Sequence, residues 1–450
     1  MTSSIMKRIF QIRHGQVPKG YQHSSYVGII PKGWMVITIG ELGTVKNGLN
    51  YHLEDNGYPV RILGVGDFRD LSVLHDTGGL AKVSLSEMPA GELVLKEGDI
   101  VFVRSNGSSE LVGRNLLVYP SGDIVSYSGF CIRFRMNDCR LTTPEYLNFI
   151  LDSGVLRKKL LRLNQGSSIN NLNQEILRDL LIALPPLAEQ RKIAKILAVQ
   201  DGVIELKKKL LEETKRRKKA LMRMLIEPTH LNDEWRVARV SDLFVPIARK
   251  NTTGNTNILT ISAQDGLVNQ FEYYKHQYAS VDVSGYTLLK RGEFAYNKSR
   301  SGEYPYGAIK MLDQYEEGVV SPLYLCFAVK GDACLDFWSY YFEAGMLNRS
   351  LYRIAQEGAR NHGLLNIPTD GFFGSELLVP PLAIQRQIAA ILSAADKEIA
   401  LLRQNLEQEE RKKKALMQLL LTGIVRVSVK GDDVGKRSSK MPHLRGGGIL

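Results

Sequence analysis

The chain has 450 residues, 44% of them hydrophobic, and a formal net charge of +12. That length suggests two to four domains, the hydrophobic share is that of an ordinary globular core, and the charge points to a polyanionic partner. No apolar run approaches the roughly 20 residues needed to cross a bilayer, and four cysteines do not suggest a disulfide framework.

Met1–Gln22 lacks the apolar centre of a signal peptide, so the chain is expected in the cytoplasm. Residues 1–183 read as a first domain, its variable part rich in Gly, Val, Ile and short polar turns. This part opens on Gly33-Trp34-Met35-Val36, has a strand signal at Lys96-Glu97-Gly98-Asp99-Ile100-Val101-Phe102 and a helical stretch near Tyr146–Leu163, and ends in a strand-like run into Pro185-Pro186. Residues 184–227 read as one long helix: Ala188 to Leu225 holds no proline and only Gly202, a length of about 57 Å. Residues 228–378 repeat the plan. They open on Glu234-Trp235-Arg236-Val237, have a strand signal at Lys290-Arg291-Gly292-Glu293-Phe294-Ala295-Tyr296 and a helical stretch near Trp338–Ala355, and run into Pro380-Pro381. Residues 379–423 form the second long helix, and residues 424–450 a basic flexible tail with Lys430, Lys436, Arg437, Lys440 and Arg445. Gly431–Lys436 is no P-loop, because three residues separate its glycines and no Ser or Thr follows the lysine.

Residues 184–226 and 379–421 align without a gap at an offset of 195, with 22 of 43 positions identical. So long a period is a duplicated domain-plus-helix unit, which offers two equivalent docking surfaces and two different reading surfaces. One seam runs Ile193, Leu197, Gln200, Ile204, Lys207, Leu211, Thr214, Lys218, Leu221, Leu225. The other runs Ile388, Leu392, Ala395, Ile399, Leu402, Leu406, Glu409, Lys413, Leu416, Leu420. Steps of three and four are coiled-coil spacing, and long helices of this kind are unstable alone. The economical arrangement pairs the two helices antiparallel with a globule at each end; a bundle with a third chain competes. The basic runs Lys215–Lys219 and Arg411–Lys414 suit a solvated face, DNA phosphates or an acidic partner.

No catalytic constellation is evident. Gly64-Val65-Gly66 is a bare GxG, Glu205-Leu206-Lys207 lies mid-helix, and no His-x-x-x-His pair places two ligands on one helix face. Cys131 and Cys139 are eight apart, as are Cys326 and Cys334, 195 residues later. This reads as buried cysteines in equivalent strands and not as a metal site.

Base edges are read by polar side chains and phosphates by cations. The candidate DNA-binding loop after the mid-domain strand holds Arg104, Ser105 and Asn106 in the first domain, and Asn297, Lys298, Ser299 and Arg300 in the second. A second loop, before the Pro-Pro strand, holds Ser167, Ser168 and Asn170 in one and Arg360 and Asn361 in the other. Loops that recur in place but differ in residues suit a reader of two different half-sites.

Leu184-Pro-Pro-Leu-Ala-Glu-Gln-Arg-Lys-Ile-Ala and Val379-Pro-Pro-Leu-Ala-Ile-Gln-Arg-Gln-Ile-Ala, each opening a long helix that ends Lys-Lys-Ala-Leu-Met, resemble the specificity subunits of type I restriction–modification systems. The resemblance covers about residues 30–423. It implies an α+β fold: two mixed α/β target recognition domains separated by two long antiparallel coiled-coil helices, related by a pseudo-twofold. It further implies that each domain reads one half of a split double-stranded DNA site and that the helices set the spacer. Two methyltransferase subunits would dock and methylate adenine N6, and two restriction subunits would translocate and cleave. S-adenosylmethionine, ATP and Mg²⁺ would belong to those partners, with no cofactor, metal or catalysis in this chain and no membrane. One departure is Ile384 where the first motif has Glu189, which bears on whether the two partner sites are equal. The alternatives are an architectural coiled-coil protein binding nucleic acid without sequence preference and, less favoured, an enzyme with an unrecognised site.

Overall fold

Each globular region is closed by two strands that the sequence places at its two ends. Met35–Thr38 pairs antiparallel with Leu181–Leu184, and Arg236–Arg239 with Glu376–Val379. Thus the Trp-containing opening lies beside the run into Pro-Pro in both. The next turn is also built twice: Thr38 N–H donates to Glu41 Oε2 and Arg239 N–H to Asp242 Oδ2, both at 2.8 Å, capping the short helices Ile39–Leu42 and Val240–Leu243.

The structure is a computed structural model describing residues 3–51, 57–68, 71–106, 111–154, 156, 172–227, 235–262, 265–274, 282–302, 304–357, 363 and 365–428. The chain divides into a first unit, Met1–Leu206 with Glu407–Leu450, and a second, Lys207–Leu406. Both are mixed α and β.

In the first unit a five-stranded sheet runs in the order Gly43–Asn47, Cys131–Met136, Asp99–Val103, Asn115–Val118, Val73–Leu74. The central strand Asp99–Val103 is buried throughout. On one side lie Ile100, Phe102, Ile132 and Phe134 with the helix Pro144–Asp152; on the other, Val101, Val103 and Cys131 pack with Leu63, Phe68 and Tyr127. In the second unit the order is Phe244–Pro246, Leu325–Val329, Phe294–Asn297, Ala308–Met311. Its core is aromatic: Phe294 and Phe327 stack at 5.4 Å, Phe244 and Phe342 meet them edge-on, and Trp338 packs against Phe244 and Phe342. Phe244 enters where the first unit has Gly43, whose added Cβ would lie 2.2 Å from the Arg135 carbonyl oxygen.

The mid-domain strands enter through one device. Gly98 and Gly292 take positive φ, 84° and 87°. The carboxylate that follows then accepts the backbone N–H three residues back, Asp99 from Lys96 and Glu293 from Lys290, each at 2.7 Å. Each carboxylate also holds an arginine, Arg135 for Asp99 and Arg249 for Glu293. Hydrogen bonding to buried Asp99 pushes the Arg135 guanidinium pKa up.

The long helices are Leu187–Ile226 and Leu382–Leu421. Within the first unit, Ile193, Ala194 and Leu197 share a core with Leu420 and Leu421, Gln200 Nε2 donates to Glu409 Oε2 at 2.8 Å, and Lys413 meets Asp201 at 2.6 Å. Within the second, Met222 and Ile226 pack with Ile388 and Leu392, and Lys218 meets Asp396 at 2.5 Å. In both, the residue number rises along one helix as it falls along the other, so the paired segments are antiparallel. All seam residues are buried or half-buried.

Three sequence expectations need correction. The second unit's helical stretch is two helices, Leu335–Glu343 and Asn348–Ile354, broken where Gly345 takes φ +72°. The cysteine coincidence is also misleading. Cys131 and Cys326 are buried in corresponding strands, but Cys131 lies opposite Val103 and Cys326 opposite Ala295, the counterpart of Val101. The true strand offset is two residues shorter than the cysteine spacing. Their partners differ as well: Cys139 is exposed, and Cys334 is half-buried at the start of a helix.

The third correction concerns residues 424–428, expected as the start of a flexible tail but held in place, chiefly by Glu189. Glu189 is 2% exposed and is held bidentately by Arg426, both contacts at 2.7 Å, with Val427 N–H at 3.3 Å. This hydrogen bonding pushes the Arg426 pKa up. Tyr21 OH donates to the Gly423 carbonyl at 2.7 Å and Arg8 to that of Ile424 at 2.5 Å. So the chain leaving the second long helix is strapped into the first unit, together with the N-terminal helix Ser3–Arg13 and the hairpin Tyr21–Ser24/Gly28–Pro31, none of which sequence reading located.

Candidate nucleic-acid interface

The first candidate loop leaves the buried strand Asp99–Val103, so its start is fixed by the sheet. Arg104 N–H donates to the Phe130 carbonyl at 2.8 Å, and the Arg104 guanidinium to that of Gly129 at 3.3 Å. The Arg104 carbonyl accepts Leu172 N–H at 2.9 Å. The chain emerging from the second candidate loop is therefore bonded to the first residue of the first loop. Arg104, Ser105 and Asn106 are half-exposed, while Ser167, Ser168 and Asn170 lie outside the described residues.

The second unit repeats the bond. Leu365 N–H donates to the Lys298 carbonyl at 3.0 Å, and Arg300 N–H to that of Gly363 at 2.8 Å. Lys298 and Ser299 are half-exposed and Arg300 is exposed; Arg360 and Asn361 lie outside the described residues. Asn297 shapes this loop: its Oδ1 accepts Ser299 N–H at 3.0 Å and its Nδ2 reaches Tyr324 OH at 3.4 Å. Tyr304 anchors the far side, donating to Glu343 at 2.7 Å and accepting from Lys310 at 2.9 Å, while Lys310 and Glu343 form an ion pair.

The Pro-Pro-Leu-x-x-Gln motif has a local cause. Gln190 Nε2 donates to the Pro185 carbonyl at 2.8 Å, and Gln385 Nε2 to that of Pro380 at 3.0 Å. Both side chains are buried and satisfy a carbonyl stranded between strand and helix. The helices also show solvent a repeated apolar residue: Leu206 is 68% exposed, and Leu401, 195 positions on, is 61% exposed. Much of the basic runs is engaged in ion pairs, Lys215 with Glu212, Arg217 with Glu398, Lys218 with Asp396, Arg411 with Glu407, Lys412 with Glu409 and Lys413 with Asp201. Among the described residues no helix is long and apolar enough to cross a membrane, and no group of three or more His, Cys, Asp or Glu could hold a metal.

Residues 31–216 match the family model of the type I restriction modification DNA specificity domain. The StySPI specificity subunit of Salmonella potsdam is 30% identical over 165 residues, 36% of this chain. That match spans about a third of the relative, 35% of its length. The putative MjaX specificity subunit of Methanocaldococcus jannaschii is 25% identical over 439 residues, covering 89% of this chain and 96% of the relative. The chain is thus similar to type I restriction–modification specificity subunits, by the family model over residues 31–216 and by these relatives. A chain in a solved structure, described as concerning complex assembly and conformational transition of the type I R-M system, shares the fold: TM-score 0.57 at 16% identity, covering 88% of this chain and 99% of that one. In both units the chain just after the second candidate loop is bonded to the first loop, Leu172 to Arg104 and Leu365 to Lys298, and neither loop sequence alone predicts these bonds.

Proposed function

We propose that this chain is a type I restriction–modification specificity subunit that reads a bipartite double-stranded DNA target, one half-site per globular domain, with the paired helices as an antiparallel coiled coil that fixes the spacer. The observation that carries the reading is the repeated junction of loops, Leu172 on Arg104 and Leu365 on Lys298, bearing different polar residues. Donors and acceptors that differ on one frame are what two unlike half-sites require. The reading assigns base and phosphate contact to Arg104, Ser105, Asn106, Ser167, Ser168 and Asn170 for one half, and to Asn297, Lys298, Ser299, Arg300, Arg360 and Asn361 for the other.

Scaffolding follows from the duplicated helices. Repeated exposed residues such as Leu206 and Leu401 offer the same apolar contact twice, suited to two copies of one methyltransferase subunit. Those subunits would bring S-adenosylmethionine and the adenine-N6 chemistry; two restriction subunits would bring ATP and Mg²⁺ for translocation and cleavage. This chain contributes recognition and no catalysis, in the cytoplasm. The test is a map of methylated adenines in cells with and without the gene. A split motif that disappears on deletion is expected; an unchanged map would refute the assignment.

A further inference from the structure

The strand register aligns two turns whose sequences share little. Phe134 lies opposite Ile100, and Phe327 opposite Phe294; Ile100 and Phe294 hold the same place after their Lys-x-Gly turns. Counting back matches Ser128-Gly129-Phe130-Cys131 with Ser321-Pro322-Leu323-Tyr324. Each is closed by the same bond, Cys131 N–H to the Ser128 carbonyl at 2.8 Å and Tyr324 N–H to the Ser321 carbonyl at 3.0 Å. The third residue of each is large, apolar and exposed: Phe130 at 64% and Leu323 at 62%.

A single exposed hydrophobe needs no explanation. These two recur at one structural position, on stiff backbone, beside the candidate reading loops. Gly129 N–H is tied to the Leu49 carbonyl at 2.6 Å, and Pro322 fixes its own φ. The Phe130 carbonyl accepts the N–H groups of Arg104 and Ser105, while Tyr324, next to Leu323, accepts from Asn297. The polar loops can read hydrogen-bonding edges. A thymine methyl in the major groove takes an apolar contact, which the polar side chains assigned to these loops do not supply.

Resting on the DNA-reading assignment above, we propose that Phe130 and Leu323 are specificity-determining residues, each packing on a thymine C5-methyl in its own half-site. A protein partner suits them less. Two copies of one subunit would meet like residues, as at Leu206 and Leu401, whereas an aromatic and a branched aliphatic side chain suit two different half-sites.

The test uses the full chain assembled with its methyltransferase subunits and a duplex carrying the mapped motif. Each thymine is replaced in turn by deoxyuridine, which lacks the methyl. In the wild-type complex, one replacement in each half should slow methylation about fivefold or more. Phe130→Ala should lose that sensitivity in one half only, and Leu323→Ala in the other. Three results would overturn the proposal: wild-type rates indifferent to every replacement, a half-site without thymine on either strand, or variants that keep full thymine dependence. Failure of either variant to co-purify with methyltransferase subunits would make the turn a protein contact and also overturn it. Failure of the underlying DNA-reading assignment is distinct: the wild-type complex would then have no split motif to map.

Discussion

In the first unit Asp201 pairs with Lys413; in the second Asp396 pairs with Lys218, the same two positions with the helices exchanged. One contact higher the units part. Gln200 meets Glu409, but the counterparts are Ala395 and Thr214, and the Thr214 hydroxyl turns back to the Leu210 carbonyl of its own helix. The globular cores part further, aliphatic around Ile100 and Ile132 in one and stacked aromatic around Phe294 and Phe327 in the other. The shared features are backbone devices and reciprocal pairs; the differences are in what fills and covers the frame. Geometry is thus held constant while core filling and surface chemistry vary.

The core difference should give the largest effects. Phe327→Ala removes a stacked ring and should cost about 3–5 kcal/mol; Phe134→Ala, in the more aliphatic core, should fall at the lower end of that range. Each unit carries its own reporter. Burial pushes the Cys131 and Cys326 thiols up to about 12, so the reactive thiolate is scarce at neutral pH in the folded state and regained on unfolding. Thiol labelling along a urea titration should expose Cys326 first in Phe327→Ala and Cys131 first in Phe134→Ala. Simultaneous exposure in both variants would show that the units do not unfold separately.

The candidate reading loops come next. Arg104→Ala and Lys298→Ala should each weaken DNA binding by about 1–3 kcal/mol if they touch base edges, with relaxed discrimination in one half only. Loss spread evenly over all sequences, with a shallower salt dependence, would reassign them to phosphate. Glu189→Ala should cost about 1.5–3 kcal/mol, since a charged pair with a buried carboxylate is lost. Hydrogen exchange should then rise at residues 423–428, whereas Ile384→Ala leaves that segment protected. The smallest effect sharpens the symmetry. Asp201→Ala should cost about 0.5–1 kcal/mol in urea denaturation. Asp396→Ala should cost more, because Asp396 also accepts from Tyr340 OH at 2.7 Å.

The paired helices, the strand openings and the runs into Pro-Pro were legible because periodicity and proline placement act locally. The strand ends from which the first loops leave were legible for the same reason, but the bonds Leu172–Arg104 and Leu365–Lys298 were not, because they join residues more than sixty apart. The Glu189–Arg426 clamp was hidden likewise, so the change to Ile384 was legible only as a departure from the first motif. The cysteine spacing misled because equal separation in sequence does not carry register. The Phe130 and Leu323 turns share only a serine, and strand pairing alone aligns them.

The claim that each globular domain reads its own half-site is tested most directly by exchange. Residues 31–183 are replaced by the corresponding domain of a relative with a different mapped motif, and methylated adenines are mapped in cells carrying the chimera. A motif with one half changed and the other half and spacer retained is the predicted result. A motif altered in both halves at once would contradict it.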